Sequence, residues 1–519
     1  MLKTLLRFIL ILVLGILSSD AHPNHQLDLT YATPGSDWQN DGLPLGNGYF
    51  GALVLGGVAE DRIRITDPLL RDATHQLQPL ADLVISTGHD PVQARTFLRR
   101  LDLQTASVEV SYRDGRVRHR REYFASHPDR VLVGRLRAVK KKSLNLTLSW
   151  DSPHQQAKIR YDKESNRFVI AGELAGRPFE TQVELRLKDG EIIPEGNQVR
   201  IKGASQVAML LTVSQGETFS ANARLNSLKH DDAIAIYQKH LPEYQEWFHA
   251  MYLTLEGGAK SQLDTSKRRL LYAEKPEEDP GFEELLFQYG RYLLLASSRK
   301  ESPSPVQARG IWWFPPSDGM LNNRPIEPNL VSLIQSGAGP SQLPTNARAF
   351  DPVELQPWIN EKDTTLGHVA RLIQSEGDEA YQHLRQLLQT NLSDNLLIPG
   401  QNLAVNMALV RGMTDLFAKE AHDGALQWIS TLPSAWPDGS VVGLRTRNVE
   451  IAYVWQSGAF LEGYLTRLEA GEVTIQTVTP LLLSRPGQEE AIRFTPDKDS
   501  RVHFTAEAKQ TLRLQCAED

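Results

Sequence analysis

Hydrophobic and polar residues alternate along the first half of the chain, a pattern typical of β-strands. The run 106–112 (ASVEVSY) alternates, an Asp-Gly turn follows within 113–116, and 117–124 runs back, which together predict a hairpin. The pattern repeats at 131–136, 144–150, 167–170, 181–187 and 207–213. Many short strands between about residues 27 and 256, with no alternation of strands and helices, predict a large antiparallel β-sandwich.

Helical spacing replaces this alternation near residue 232, where apolar residues recur at helical intervals as far as 252. The clearest helix is 282–298, whose wide apolar face includes Leu285, Tyr289 and Tyr292. After a Pro- and Gly-rich stretch at 302–357, helices are predicted at 366–373, 380–388 and 404–421, and strands return at 449–455, 460–468 and 472–478. The order is therefore β, then α, then β.

The first residues predict an export signal. Lys3 and Arg7 precede an apolar run at 8–17, and small residues at Ser19 and Ala21 suit a signal peptidase that cleaves after Ala21. The alternative is a membrane anchor, but the run is short for a span of about 20 residues. We expect an exported protein, periplasmic or extracellular, that does not span the membrane once the signal is cleaved.

The net charge and the cysteine content argue against several classes of function. A net charge of −7 with both signs interspersed argues against nucleic acid as a partner, since phosphate binding needs a basic patch. Cys516 is the only cysteine, which excludes a disulfide within the chain and a CxxC metal site. The 14 histidines show no HExxH-type spacing and no GxSxG elbow is present. We therefore predict no metal and no cofactor.

One glycine motif matches the GxGxxG pattern of dinucleotide-binding sites. Residues 46–51 read GNGYFG, but Pro44 precedes them and a strand-like run follows, where nucleotide binding needs a preceding strand and a following helix. The context instead predicts a glycine turn between two strands.

Three stretches resemble glycoside hydrolase family 95, the inverting α-L-fucosidases and related α-L-galactosidases. They are 43–65 (LPLGNGYFGALVLGGVAEDRIRI), 287–312 (FQYGRYLLLASSR…GIW) and 432–444 (LPSAWPDGSVVGL). They occur in the family's order on a matching β–α–β layout. The resemblance implies an N-terminal β-sandwich, an (α/α)6 barrel that carries the active site, and a small C-terminal β domain.

The middle of this chain is too short for the barrel that the resemblance implies. Twelve helices of about 12 residues with connections of about 5 residues need roughly 200 residues, and 281–420 offers 140. The fold class is thus multidomain α+β with a truncated helical middle, a remnant of the barrel. The predicted domains are a signal peptide at 1–21, an N-terminal β-sandwich at 22–256, a linker region at 257–280, a reduced helical domain at 281–430 and a C-terminal β domain at 431–519.

The residues that the resemblance makes catalytic are also missing. Members of the family use a Glu as general acid and an Asn, polarised by an Asp, to activate water. Trp313 stands where the last residue of the family's GIWN segment is an Asn. No clear Asn-x-Asn motif follows it to supply the water-activating Asn. The Asp position falls on Ala404, and the segment with the acid Glu is predicted to be deleted. Losing one positioned acid–base group costs about 10²–10⁴-fold in rate. We therefore expect none of the family's catalytic residues in this chain.

Three hypotheses remain at this point. The chain is a non-catalytic carbohydrate-associated protein whose partners are glycans such as fucosylated oligosaccharides; or a divergent glycosidase with a rebuilt site; or a decaying relic. A rebuilt inverting site needs two carboxyl groups about 6.5–9.5 Å apart, and the candidates are Asp318, Glu327 and Glu354.

Candidate substrate-binding residues are Trp312, Asn402, which takes the position of a family Gln, and Asn406, which matches a family Asn. The structural interpretation of Trp312, Trp436 and Trp455 is a place in the core, and that of Asn406 is a cap or backbone anchor at a helix start.

Overall fold

A computed structural model gives the fold. It describes residues 27–215, 219–255, 260–299, 311–312, 371–372, 375–390, 392–397, 402–421, 423–428, 432–446, 448–488 and 490–517, of which the side chains of 402–405, 407–408 and 420 are not described.

The N-terminal part is a sandwich of two antiparallel sheets. The order in the nine-stranded sheet is β1-β6-β7-β8-β9-β16-β13-β12-β11 and in the seven-stranded sheet β14-β15-β10-β5-β4-β3-β2. Alternate residues such as Ile63 and Ile65 are buried between the sheets, which confirms the predicted β-sandwich. The strands are β1 Asp28–Tyr31, β2 Leu43–Gly46, β3 Gly51–Val54, β4 Glu60–Thr66, β5 Ala81–Ser86, β6 Arg95–Asp102, β7 Ser107–Asp114, β8 Val117–Ser126, β9 Val131–Ala138, β10 Leu144–Asp151, β11 Lys158–Asp162, β12 Arg167–Leu174, β13 Arg177–Lys188, β14 Glu191–Glu195, β15 Gln198–Ala204 and β16 Gln206–Ser214.

Two predicted turns are present. The β7–β8 hairpin closes with Asp114 paired to Val117, and Gly115 between them has a φ of +55°, a conformation that glycine adopts without steric cost. The motif 46–51 joins β2 to β3, whose Gly46 and Gly51 pair in register. The glycine turn predicted in place of a nucleotide site is confirmed.

Six α-helices and one 3₁₀ turn at Pro276–Glu278 lie within the described ranges. Asp232 and Asp264 cap α2 and α3 by accepting backbone N–H bonds, and α4 begins with a proline, which suits a first helical position. The helix predicted at 282–298 is confirmed. The helices are α1 Ala221–Ser227, α2 Ala233–Phe248, α3 Thr265–Glu274, α4 Pro280–Ser297, α5 Gly377–Thr390 and α6 Asn402–Phe417.

Two helix predictions were too long at their C-terminal ends. The helical pattern at 232–252 ends at Phe248, and the helix predicted at 404–421 ends at Phe417. In both places the chain enters a β-strand, and sheet pairing overrides the helical spacing. Most of the helix predicted at 366–373 lies outside the described residues.

The C-terminal part consists of a seven-stranded sheet, β17-β20-β21-β22-β27-β24-β25, and a four-stranded sheet, β18-β19-β23-β26. Although β17 lies within the range predicted for the N-terminal domain, it pairs with β20 and so extends the C-terminal sheet. The strands are β17 Tyr252–Leu255, β18 Ala418–Glu420, β19 Leu426–Trp428, β20 Gly439–Arg445, β21 Val449–Gln456, β22 Ala459–Arg467, β23 Gly471–Gln476, β24 Leu481–Ser484, β25 Ala491–Phe494, β26 Arg501–Ala506 and β27 Thr511–Cys516.

The architecture is therefore a β-sandwich, a helical middle with few helices, and a C-terminal β domain, as expected for a truncated helical middle. Among the helices described, none is both long enough and apolar enough to cross a bilayer.

Candidate functional site

Helix α4 is the element around which the three parts of the chain meet. Its residues from Gly281 to Ser297 are all buried, so it is covered on every side rather than on one face. Helix α6 packs against it at Gly290, where an added Cβ would meet the side chain of Val410 and lie 3.1 Å from the backbone oxygen of Asn406. A glycine here permits this close approach of two helices.

Glu283 on α4 is a fully buried carboxylate with three hydrogen-bond donors. Its Oε1 accepts from the hydroxyls of Tyr272 at 2.5 Å and Tyr381 at 2.8 Å, and its Oε2 accepts from the indole Nε1 of Trp436 at 2.5 Å. Burial raises the pKa of Glu283 to about 7, against the opposing effect of these donors. The carboxylate thereby joins α4 to α3, to α5 and to the start of the C-terminal domain.

The neighbouring Glu284 is also buried, and its carboxylate contacts strand β17. Its Oε2 accepts the backbone N–H of Leu255 at 2.9 Å, at the end of β17, and burial raises the pKa of Glu284 to about 8. Neither glutamate is among the site residues predicted from the sequence. Two adjacent carboxylates inside a helix predicted to be buried were the signal that could have revealed them, because buried acids need partners.

Trp312 is anchored to the glycine turn of the sandwich. Its Nε1 donates to the backbone oxygen of Leu45 at 2.8 Å, and its side chain is 1 % exposed. An added Cβ at Gly51 would lie 2.8 Å from the backbone oxygen of Ile311, and Gly48 N–H donates to the Ala296 oxygen at the end of α4 at 2.9 Å. The structure therefore places Ile311 and Trp312 directly against the sandwich. Trp436 and Trp455 are likewise 1 % exposed.

Asn406 lies on α6 and is 4 % exposed. Its Nδ2 donates to the backbone oxygen of Leu396 at 3.3 Å, so it holds the segment that precedes the helix. Asn402 and Ala404 occupy the first turn of α6.

The candidate carboxylates Asp318, Glu327 and Glu354 lie outside the described residues. Trp312 and Asn406 donate to different backbone oxygens, those of Leu45 and Leu396. Glu283 and Glu284 are 0 % and 1 % exposed. A sugar has no access to either carboxylate in this arrangement, and the geometry assigns them a structural role.

Family models match this chain in three successive parts. The glycosyl hydrolase family 65 N-terminal domain matches residues 29–70 and 64–218, the glycosyl hydrolase family 95 catalytic domain matches 233–315, and the glycoside hydrolase family 95 C-terminal domain matches 420–514. The chain is a divergent glycoside hydrolase family 95-like protein.

Curated relatives of this family 95-like protein are named as fucosidases. "Alpha-L-fucosidase 2" of Arabidopsis thaliana is 26% identical over 381 residues, covering 56% of this chain and 45% of the relative. "Probable alpha-fucosidase A" of Aspergillus niger is 26% identical over 337 residues, covering 56% of this chain and 42% of the relative. The chain thus spans less than half the length of the curated relatives it matches.

Solved structures share the general architecture only loosely. A structure assigned as a kojibiose phosphorylase from the human microbiome covers 94% of this chain and 98% of its own, at 8% identity and a TM-score of 0.44. Nothing about activity follows from a likeness at this level.

Proposed function

We propose that the family 95-like protein is exported and associates with carbohydrate without hydrolysing α-L-fucosides. The observation that carries the proposal is the state of the two segments in which the family places its water-activating residues. Described residues beside each segment, Trp312 and Val410, keep contacts to the rest of the fold, and neither segment has the family's chemical residues at the expected positions.

The first segment follows the Gly-Ile-Trp sequence. Trp312 is held by its hydrogen bond to Leu45 and by close packing beside Gly51. In sequence, Trp313 follows where the family's GIWN segment has its asparagine, and no clear Asn-x-Asn motif comes after it. The family's water-activating asparagine therefore has no counterpart in this segment, and no amide is supplied to orient the attacking water.

The second segment is the start of α6. Val410 and the backbone of Asn406 lie against Gly290 of α4, which supports the alignment that matches Asn406 to the family's asparagine. In that alignment the Asp of the family falls on Ala404, whose methyl side chain cannot accept a proton. General-base assistance to the attacking water is therefore lost at this position.

The length between the two segments supports the same conclusion. The match to the family's catalytic domain ends at residue 315, and the match to its C-terminal domain begins at residue 420. With 104 residues between the two matches, the whole span 281–420 offers 140 residues, against the roughly 200 that twelve helices and their connections need.

The helical middle nevertheless keeps a demanding internal structure, which argues against a decaying relic. A buried carboxylate is costly unless its hydrogen bonds are satisfied. Glu283 has three donors that come from positions 272, 381 and 436, so three distant parts of the chain have kept mutually dependent residues. A protein that retains this arrangement without its catalytic groups is best explained by binding, and fucosylated oligosaccharides are the ligands we propose.

Glycan-array binding of the purified chain, with titration of each hit by calorimetry, tests the binding half of the proposal. We expect saturable binding of fucosylated oligosaccharides that weakens in Asn402→Ala, while Gln401→Ala, its neighbour in sequence, serves as the matched control. A folded protein that binds no glycan on the array would overturn the carbohydrate role.

A further inference from the structure

Far from the helical middle, one end of the sandwich brings together two histidines and an aspartate. The hairpin pairing places Tyr112 opposite His119, and Asp114 lies on the same face as Tyr112 because side chains two apart along a strand point the same way. His89 reaches this face from the loop after β5, which belongs to the other sheet. One potential ligand atom from each of His89, Asp114 and His119 lies within 4.8 Å of the other two.

We propose that His89, His119 and Asp114 form a binding site for a divalent transition metal ion, with zinc the best fit. Two imidazoles and one carboxylate, with a water as fourth ligand, are a donor set that suits tetrahedral zinc. On one such ion the ligand atoms would lie about 3.3 Å apart, given bond lengths of about 2.0–2.2 Å. Nε2 of His89 is already 3.7 Å from Oδ2 of Asp114.

His89 is oriented for this role by a neighbour. The hydroxyl of Tyr112 lies 2.9 Å from its Nδ1, so Nε2 is the nitrogen that faces Asp114. A hydrogen-bond partner on the second ring nitrogen is the usual support of a metal-bound histidine, because it fixes the orientation of the ring.

His119 supplies an independent observation. It is only 5 % exposed. Its ring lies 4.5 Å from that of His89, centroid to centroid, and both rings line a small cavity. The two imidazoles therefore lie close enough to each other to share one ligand.

Three arginines line this cavity, and each is paired with a carboxylate, Arg120 and Arg137 with Glu122 and Arg121 with Asp61. Arg121 donates to the hydroxyl of Tyr112 at 2.9 Å, but its guanidinium also forms an ion pair with the buried Asp61 at 3.1 Å. The Asp61 carboxylate offsets the charge of Arg121 locally, and the Asp114 carboxylate remains for the metal.

A metal here would join the two sheets of the sandwich, since His89 belongs to one sheet and the hairpin to the other. Binding to the folded state alone raises thermal stability. We therefore expect zinc to raise the Tm of the full chain by several degrees, and cobalt, which absorbs in the visible region when tetrahedral, to report one site per chain.

The experiment compares three variants by zinc calorimetry, cobalt absorbance and thermal unfolding. His89→Gln and Asp114→Asn should each weaken zinc binding at least about tenfold and remove the rise in Tm. His503→Gln is the matched control, because His503 lies 3.2 Å and 3.4 Å from Asp497 and Glu472 on another surface. It should leave binding unchanged.

The proposal is overturned if folded parent protein shows no saturable zinc binding. It is equally overturned if the two site variants bind zinc as the parent does, or if only His503→Gln loses binding. Circular dichroism of each variant in the absence of metal distinguishes a loss of binding from a loss of fold. If His89→Gln unfolds, Asp114→Asn still tests the proposal, because the Asp114 side chain is 40 % exposed and its substitution should not disturb the fold.

Discussion

The carboxylate of Glu283 accepts a hydrogen bond from the indole nitrogen of Trp436 at 2.5 Å, across 153 residues of sequence. Trp436 lies just before the first strand of the main C-terminal sheet that follows the helices, and Glu283 lies in the first turn of α4. This bond therefore connects the helical middle to the C-terminal domain within a fully buried environment. The stability of the two parts should be coupled through it.

We predict that Trp436→Phe and Glu283→Gln each lower the free energy of unfolding by about 1–3 kcal/mol, because each leaves a buried polar group without its partner. In a double-mutant cycle measured by urea unfolding, their effects should be non-additive by at least about 0.5 kcal/mol. Trp312→Phe, which loses a bond to Leu45 instead, should add independently to Glu283→Gln. Strict additivity for the Glu283–Trp436 pair would contradict the coupling.

Glu284 should make the protein less stable as the pH rises. Burial raises the pKa of Glu284 from 4.5 to about 8, so between these values the folded chain holds a proton that the unfolded chain has released. The free energy of unfolding then falls as the pH rises from about 4.5 to about 8. Urea unfolding across this range should show a shallower decline for Glu284→Gln than for the parent.

The exposed Glu164→Gln is the control for this pH series and should keep the slope of the parent. An unchanged slope in Glu284→Gln would show that Glu284 does not titrate in this range. Glu283, whose pKa is also raised by burial, contributes a decline of the same sign in all three proteins.

The close contact between α4 and α6 predicts that replacing Gly290 with alanine lowers the stability of the protein. In a helix interior alanine is favoured over glycine by about 0.8–1.0 kcal/mol, but here the added methyl would meet Val410. Gly290→Ala should therefore destabilise the parent by about 1–3 kcal/mol and be neutral or stabilising in a Val410→Ala background. Denaturant unfolding measures both effects.

Met413→Ala is the control background, since it removes a buried side chain from the same helix and leaves Val410 in place. Equal destabilisation by Gly290→Ala in all backgrounds would mean that Val410 does not limit the approach of the two helices.

The proposal that the chain is exported predicts a defined N-terminus for the mature protein. When the full chain is produced in a bacterial host and the compartments are separated, the exported form should begin at His22. Intact mass and N-terminal peptide analysis provide the measurement. An uncleaved chain recovered with the membranes would instead support the anchor.

Much of the fold could be predicted because the residue patterns that specify its strands, turns and helices lie within short stretches of sequence. The hairpin at 107–126 was predictable from alternation around an Asp-Gly turn, and helix α4 from its apolar residues. The ends of the helices near residues 248 and 417 could not be predicted in this way. They depend on the strands that follow, which pair with strands further along the sequence.

The buried polar sites were harder to predict for the same reason. Tyr381 and Trp436 lie 98 and 153 residues from Glu283, and His89 comes from a different sheet than His119, so no spacing rule connects them. By contrast, the departures from the family's motifs at Trp313 and Ala404 could be predicted from the sequence through the resemblance, because they depend on residue identity alone.

Hydrolysis of aryl α-L-fucoside and α-L-galactoside tests the central claim most directly. The purified chain should release no sugar above the uncatalysed rate under conditions in which an active family 95 fucosidase turns over fully. Asp318→Asn, Glu327→Gln and Glu354→Gln should be indistinguishable from the parent. Measurable turnover by the parent that disappears in one of these three variants would contradict the account and identify a rebuilt active site.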